Sequence, residues 1–96
     1  MTIDDKRALL LSKIELLTFR AKEQQWCVHE DHCLMRLIFD YVCLDDWRKH
    51  IPKPAYKHMT NSQLDRALSL CAKMETCDKY FVDLLQFASL RWRGKQ

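Results

Sequence analysis

Two cysteines and two histidines fall within seven consecutive positions of this chain: Cys27, His29, His32 and Cys33. Thiolate sulfur and imidazole nitrogen are the ligands that zinc prefers, and a structural zinc ion needs four of them in a tetrahedron. His29 and His32 are three residues apart, so a helix would place both rings on one face. The segment is therefore a candidate zinc site, formed by these four residues or completed by Cys71 or Cys77.

A purely structural interpretation of the same segment stays open beside the zinc site. The spacing lacks the two separated ligand pairs of a zinc finger. Glu30 and Asp31 would suit the positive end of a helix dipole, and His29 or Asp31 could cap that helix. Cys33 would then pack inward as a small apolar residue, as free cysteines usually do.

The elements that must position this segment are expected to be helices. The chain of 96 residues has one glycine and two prolines, too few for the tight turns of an all-β fold. Apolar residues recur at helical spacing, which predicts an all-α compact bundle of three to four amphipathic helices in a single domain. The predicted helices cover residues 3–25, 31–47, 60–75 and 78–92, and a basic loop containing Pro52 and Pro54 covers residues 48–59.

Some features of these helices can be predicted in more detail. Thr60 and Gln63 match a capping box, which begins the third helix sharply. The break before the fourth helix is weakly signalled, so Thr76 either caps a new helix or lies within a single bent one. Arg36 and Asp40, one turn apart in the second helix, could bond along it. The fourth helix is expected to bury one apolar face, formed by Phe81, Leu84, Leu85, Ala88 and Trp92.

Catalytic equipment is not recognisable, and we expect a protein that is not an enzyme. Cys27, Cys33 or Cys77 beside a histidine could in principle act as a nucleophile. The chain offers no glycine-rich oxyanion turn, no phosphate-binding glycine loop and no paired carboxylates in an evident cleft. No cofactor is expected apart from the candidate zinc ion.

The basic loop and the C-terminal tail are the candidate partner-binding segments. In the loop, basic residues and aromatic residues are interleaved, a combination that grips phosphates and stacks on bases, or matches an acidic protein surface. A solvated loop whose aromatic residues pack onto the core remains a third interpretation. The candidate partner-binding residues are Trp47, Arg48, Lys49, Lys53, Tyr56, Lys57, Arg91 and Arg93.

These observations favour a small regulatory or inhibitory protein that docks onto a larger host protein or nucleoprotein complex. Its size and composition are similar to those of small helical accessory proteins from bacteria and their phages, which suggests a host nucleic-acid-processing complex as target. The alternative is a small DNA- or RNA-binding protein, stabilised by zinc at the Cys/His cluster. The net charge of +3 permits direct nucleic-acid contact without requiring it. We expect a cytoplasmic protein with no membrane segment and five reduced cysteines.

Overall fold

The computed structural model describes residues 1–94, and within that range helices are the only regular secondary structure. The all-α compact single domain is thereby confirmed. No helix in this range is both long and apolar enough to cross a membrane. The elements are α1 (Ile3–Glu23), α2 (Asp31–Cys43), a 3-10 turn (Trp47–Lys49), a short α3 (Ala55–His58), α4 (Asn61–Met74) and α5 (Lys79–Trp92).

Local capping explains where most of these helices begin. The Thr2 hydroxyl accepts from the Asp5 N–H while the Asp5 carboxylate accepts from the Thr2 N–H. Thr60 and Gln63 form the same reciprocal pair, so the predicted capping box is confirmed. Helix α5 is a separate helix and is capped by Asp78, whose carboxylate accepts from the Phe81 N–H. Thr76 is therefore not the cap, because the carboxylate two residues later takes that position.

The connection between α2 and α4 is longer than the sequence predicted, and it contains two short helical elements. Helix α2 ends at Cys43 rather than residue 47, because Leu44 takes a left-handed conformation with φ of 53° and its N–H bonds to the carbonyls of Asp40 and Tyr41. Asp46 then caps the 3-10 turn. The Lys53–Pro54 peptide bond is cis, and α3 follows directly. The residues between the turn and α3 form an irregular loop.

Helix α2 is the centre of the bundle, since it contacts α1, α4, α5 and the 3-10 turn. Burying apolar side chains between these helices is the main favourable term in the fold. The core contributed by α1 and α4 comprises Leu10, Ile14, Leu17, Ala21, Leu64, Ala67, Leu70, Cys71 and Met74. Helix α2 adds Leu34, Leu37, Ile38, Phe39 and Val42.

Three arginines close the carboxyl ends of neighbouring elements. Arg20 of α1 donates to the carbonyls of Met74 and Cys77, just where α4 ends. Arg7 donates to the Tyr56 and Met59 carbonyls around α3, and Arg66 to the Val42 carbonyl near the end of α2. Unsatisfied carbonyls at a helix end carry partial negative charge, so a guanidinium placed there is stabilising.

Helix α5 is held on α2 by a polar network around Asp40, which has no solvent exposure. The Asp40 carboxylate accepts from the Ser89 hydroxyl at 2.6 Å and from the Arg93 guanidinium at 2.8 and 3.0 Å. Arg36 donates instead to Ser89 and Gln86. The predicted Arg36–Asp40 pair is therefore wrong: both residues bond to α5, and Ser89 connects them.

The inward face of α5 also differs from the prediction. The buried residues are Val82, Leu85 and Ser89, whereas Leu84 is 67% exposed. The pairing of Ser89 and Arg93 with Asp40 rotates α5 so that Leu84 points to solvent. Arg93, which follows α5, is anchored by this pairing.

Replacing Asp40 should destabilise the fold strongly. We expect Asp40→Ala to lower the free energy of unfolding by about 3 to 5 kcal/mol. The largely buried Arg93 would lose its closest counter-ion and keep only Asp46 at 3.3 Å, and the Ser89 hydroxyl and the Trp47 N–H would lose their acceptor. Urea unfolding followed by circular dichroism measures this. The control is Asp65→Ala, which removes an ion pair with Lys6. Because the Asp65 side chain is 55% exposed, this variant should lose less than about 1 kcal/mol of unfolding free energy. Equal losses in the two variants would contradict the central role of Asp40.

Candidate functional site

Three of the candidate partner-binding residues come together in one cleft of about 320 Å³. Trp47 belongs to the 3-10 turn, Lys53 to the irregular loop and Tyr56 to α3. They face one side of α2 near its first turns. The residues that line this surface, called here the aromatic cleft, are His32, Met35, Arg36, Phe39, Trp47, Lys53, Pro54, Ala55 and Tyr56.

The turn that carries Trp47 is fixed by two carboxylates. Asp40 accepts a hydrogen bond from the Trp47 N–H at 2.9 Å, so the network that holds α5 also sets the position of this turn. The indole ring meets the Phe39 ring edge-on, with centroids 6.0 Å apart, a favourable aromatic geometry. Asp46 accepts from the Arg48 backbone N–H and from its guanidinium.

Asp46 is held in its charged form by these bonds. The hydrogen bond from the Arg48 side chain is the largest cause, and Arg93 adds attraction at 3.3 Å; together they lower the pKa of Asp46 to about 2. Partial burial of the carboxylate acts in the opposite direction and is outweighed. The turn under the cleft is therefore fastened by a charge-assisted contact.

The opposite wall of the aromatic cleft is fastened to α1 and to the core. Arg7 donates to the Tyr56 carbonyl at 3.1 Å, while Ile51 and Ala55 are buried at 4% exposure each. Lys53 and Pro54 lie exposed on this wall. The cleft thus has fixed apolar walls and one free cationic side chain at its edge.

The remaining candidate residues do not line this cleft. Arg48 is exposed but is engaged with Asp46, and Lys49 lies 3.8 Å from Asp45. Lys57 is exposed on α3. Arg91 lies on α5 with its guanidinium 5.8 Å from the Phe87 ring centroid. Arg93 is engaged in the buried pair with Asp40 and is not available as a surface contact.

Sequence reasoning missed the α2 side of the cleft. Met35 and Phe39 are four residues apart and so share one face of α2. The apolar character of nearly every side of this helix was visible in the sequence, and it was the signal for a second apolar surface beyond the core. His32, a candidate zinc ligand, lies instead at the rim of this cleft.

The charged residues that line the aromatic cleft have one sign. Among the described residues that line it, Arg36 and Lys53 are basic and none is acidic, whereas His32 at the rim lies 3.6 Å from the Asp31 carboxylate. A larger groove of about 500 Å³ separates α1 from the start of α2, but its lining mixes Glu15, Glu30 and Asp31 with Lys22. The lining of the aromatic cleft therefore favours a ligand of negative charge, whereas the mixed lining of the larger groove favours neither sign.

The Cys/His cluster is not assembled as a metal site. His29 and His32 lie 3.6 Å from the carboxylates of Glu30 and Asp31, respectively, and both rings are exposed. Within residues 1–94, no group of three or more histidine, cysteine or acidic side chains could hold a metal ion. Cys27 and Cys33 thus do not converge with the two histidines, because the segment runs into α2 with its side chains spread around the helix start.

The other cysteines do not complete the cluster either. Cys71 has no solvent exposure, and burial raises its pKa to about 12. The Cys77 thiol donates to the Met74 carbonyl at 3.5 Å, and burial raises its pKa as well. Partial desolvation and the nearby Asp83 carboxylate raise the pKa of the exposed Cys27 thiol, and burial raises the pKa of Cys43. Metal ligation and nucleophilic attack both require a thiolate, which these environments disfavour.

Comparison with protein-family models, with curated proteins and with solved structures finds no match to this chain. Its function must therefore be inferred from the geometry of its surfaces.

The charged contact beneath the cleft predicts a pH dependence of stability. The folded pKa of Asp46 is about 2, below its ordinary value of 3.8, so its contribution is fully present above about pH 4 and is lost as the pH falls through about 2. Urea midpoints measured across this acid range should fall. Asp46→Asn should be less stable at neutral pH and show a shallower acid decline. An unchanged slope in this variant would contradict the assignment.

The five thiols should react at very different rates in the native protein. Cys27 is exposed and Cys71 is buried, so alkylation of Cys71 by iodoacetamide should be at least about 100-fold slower than that of Cys27. Mass spectrometry of peptides after timed alkylation measures both rates in one sample. In urea the two cysteines should react alike. Rapid native labelling of Cys71 would contradict its place in the core.

Proposed function

We propose that this chain is a non-catalytic helical binding module that docks onto a larger protein through the aromatic cleft. The observation that carries the proposal is the convergence of Trp47, Lys53 and Tyr56 with Met35 and Phe39 on a single apolar surface. Aromatic residues, methionine and arginine are the types most enriched where proteins bind one another.

The size and walls of the cleft suit a short protein segment. Its volume of about 320 Å³ is at the lower end of the range for ligand pockets, enough for one large apolar side chain and its neighbours. The turn and α3 are fastened by Asp40, Asp46 and Arg7. A site that is already ordered loses less conformational entropy when it binds, which favours affinity.

The charge of the rim selects the kind of segment. Lys53 is exposed at the edge, and His32 and Arg36 lie on the α2 side. Acidic residues that flank an apolar anchor would therefore be attracted, and basic ones repelled. An acidic surface of a host nucleic-acid-processing complex would provide such a segment. The role proposed for this chain is therefore that of a phage-type regulator or inhibitor of that complex.

Direct DNA or RNA binding, the alternative function, has less support. Arg7, Arg20 and Arg66 bond to backbone carbonyls, and Arg93 is engaged with Asp40. These guanidinium groups already donate to protein acceptors, which leaves fewer of their donors for phosphate contacts, the dominant source of nucleic-acid affinity. The net charge of +3 is also modest for a protein that binds nucleic acid.

A peptide-binding series tests the proposal. Fluorescent peptides with one central tryptophan, flanked by glutamate, serine or lysine, are titrated with the whole chain and followed by anisotropy. The glutamate-flanked peptide should bind most tightly. Lys53→Glu should weaken it by about tenfold, corresponding to about 1.4 kcal/mol. The control is Lys57→Glu, on α3 just after Lys53 but outside the cleft, which should change affinity by less than about twofold.

Three results would overturn the proposal. One is the absence of binding by every peptide at about 1 mM, the weak limit of useful affinity. Another is an equal effect of Lys53→Glu and Lys57→Glu. The third is tighter binding of a single-stranded oligonucleotide with a steep salt dependence, which would favour the nucleic-acid alternative.

A further inference from the structure

Helix α5 has two opposite faces of different character. Val82, Leu85 and Ser89 are buried against the bundle. Tyr80 and Leu84 are each 67% exposed and Phe87 is 49% exposed. Because successive residues of a helix are about 100° apart, these three exposed residues share a stripe on the side opposite the buried set.

The exposed stripe is larger than isolated surface residues usually provide. Helix α5 packs mainly against α2, which covers only its inward face. At about 150–250 Å² for a whole aromatic side chain, the three residues leave roughly 300–400 Å² of apolar surface uncovered. Patches of a few hundred Å² are the largest that a typical monomer exposes, and they are often functional.

The spacing of the stripe makes it complementary to itself. Tyr80, Leu84, Phe87 and Arg91 follow at intervals of four, three and four residues, a pattern that is identical in both directions along the helix. We propose that a second copy of this chain covers the stripe, with the two α5 helices antiparallel about a two-fold axis. Leu84 of each copy then packs on Phe87 of the other, and Tyr80 of each copy meets Arg91 of the other.

The charges select the antiparallel arrangement. Arg91 already lies over the Phe87 ring at 5.8 Å from its centroid, and Lys79 over the Tyr80 ring at 6.0 Å. Cations are attracted to the faces of aromatic rings, so Arg91 above Tyr80 of the other copy is favourable. A parallel pair would place Arg91 against Arg91 and repel. Isologous contacts of this kind are the commonest basis of homodimers.

The area of the stripe sets the strength of the association. Stable complexes bury about 800 Å² on each partner, roughly twice what the three apolar side chains offer. The dimer is therefore weak and depends on concentration. This surface contains no residue of the aromatic cleft, so the dimer and the partner-binding proposal can fail separately.

Sedimentation equilibrium of the whole chain tests the dimer between about 10 μM and about 1 mM, the range of weak affinities. The wild-type average mass should rise from one chain towards two. Leu84→Glu should keep the protein monomeric throughout. The matched control is Leu16→Glu on α1, where the leucine is 59% exposed and the dimer should persist. Circular dichroism verifies that both variants are folded.

An exchange of the terminal pair tests the antiparallel geometry. Tyr80→Arg should weaken the dimer by at least about tenfold because it places arginine against arginine. Adding Arg91→Tyr should restore it, because each tyrosine again meets an arginine of the other copy. A monomer at about 1 mM, a dimer unaffected by Leu84→Glu, or a double variant no better than Tyr80→Arg would each overturn the proposal.

Discussion

The buried carboxylate of Asp40 joins α2, the 3-10 turn and the C-terminal end of α5. It lies in α2, accepts from the Trp47 N–H of the turn, and accepts from Ser89 of α5 and from Arg93, which follows α5. A carboxylate without solvent costs free energy unless its oxygens are paired. Only one mutual placement of α2, the turn and α5 pairs them all, so the cleft and the exposed stripe both depend on this residue.

Arginine and lysine have different roles in this protein. The arginines at positions 7, 20 and 66 bond to carbonyls near the ends of other elements. In Arg7 and Arg20 the planar fork of donors reaches two carbonyls at once. Lysines such as Lys53 and Lys57 remain exposed. The positive charge that a partner meets is therefore mostly ammonium, compact and strongly hydrated.

Local signals predicted the helices well, whereas features set by distant residues were missed. The Thr60–Gln63 box involves neighbours only, and it was found from the sequence alone. The orientation of α5 was not found from the sequence, because helical periodicity allowed either of its apolar faces to be buried. The choice is made by Asp40, about fifty residues earlier in the chain.

The candidate site followed the same rule. Trp47, Lys53 and Tyr56 were identified by composition, as aromatic and basic residues in one loop. Their convergence on Met35 and Phe39 depends on the early end of α2 at the left-handed Leu44, a conformation that a leucine sequence does not signal. The Cys/His cluster is the opposite case. Its four candidate ligands are close in the sequence, but their side chains do not converge in the structure.

The pairing of α1 with α4 has a consequence for the protein as it is synthesised. Helix α1 packs extensively on α4, yet α4 is completed only after roughly fifty more residues have been added, which takes several seconds on a ribosome. Until then the apolar face of α1, with Leu10, Ile14 and Leu17, has no α4 to cover it. This face is the kind of transiently exposed apolar surface that chaperones recognise during synthesis.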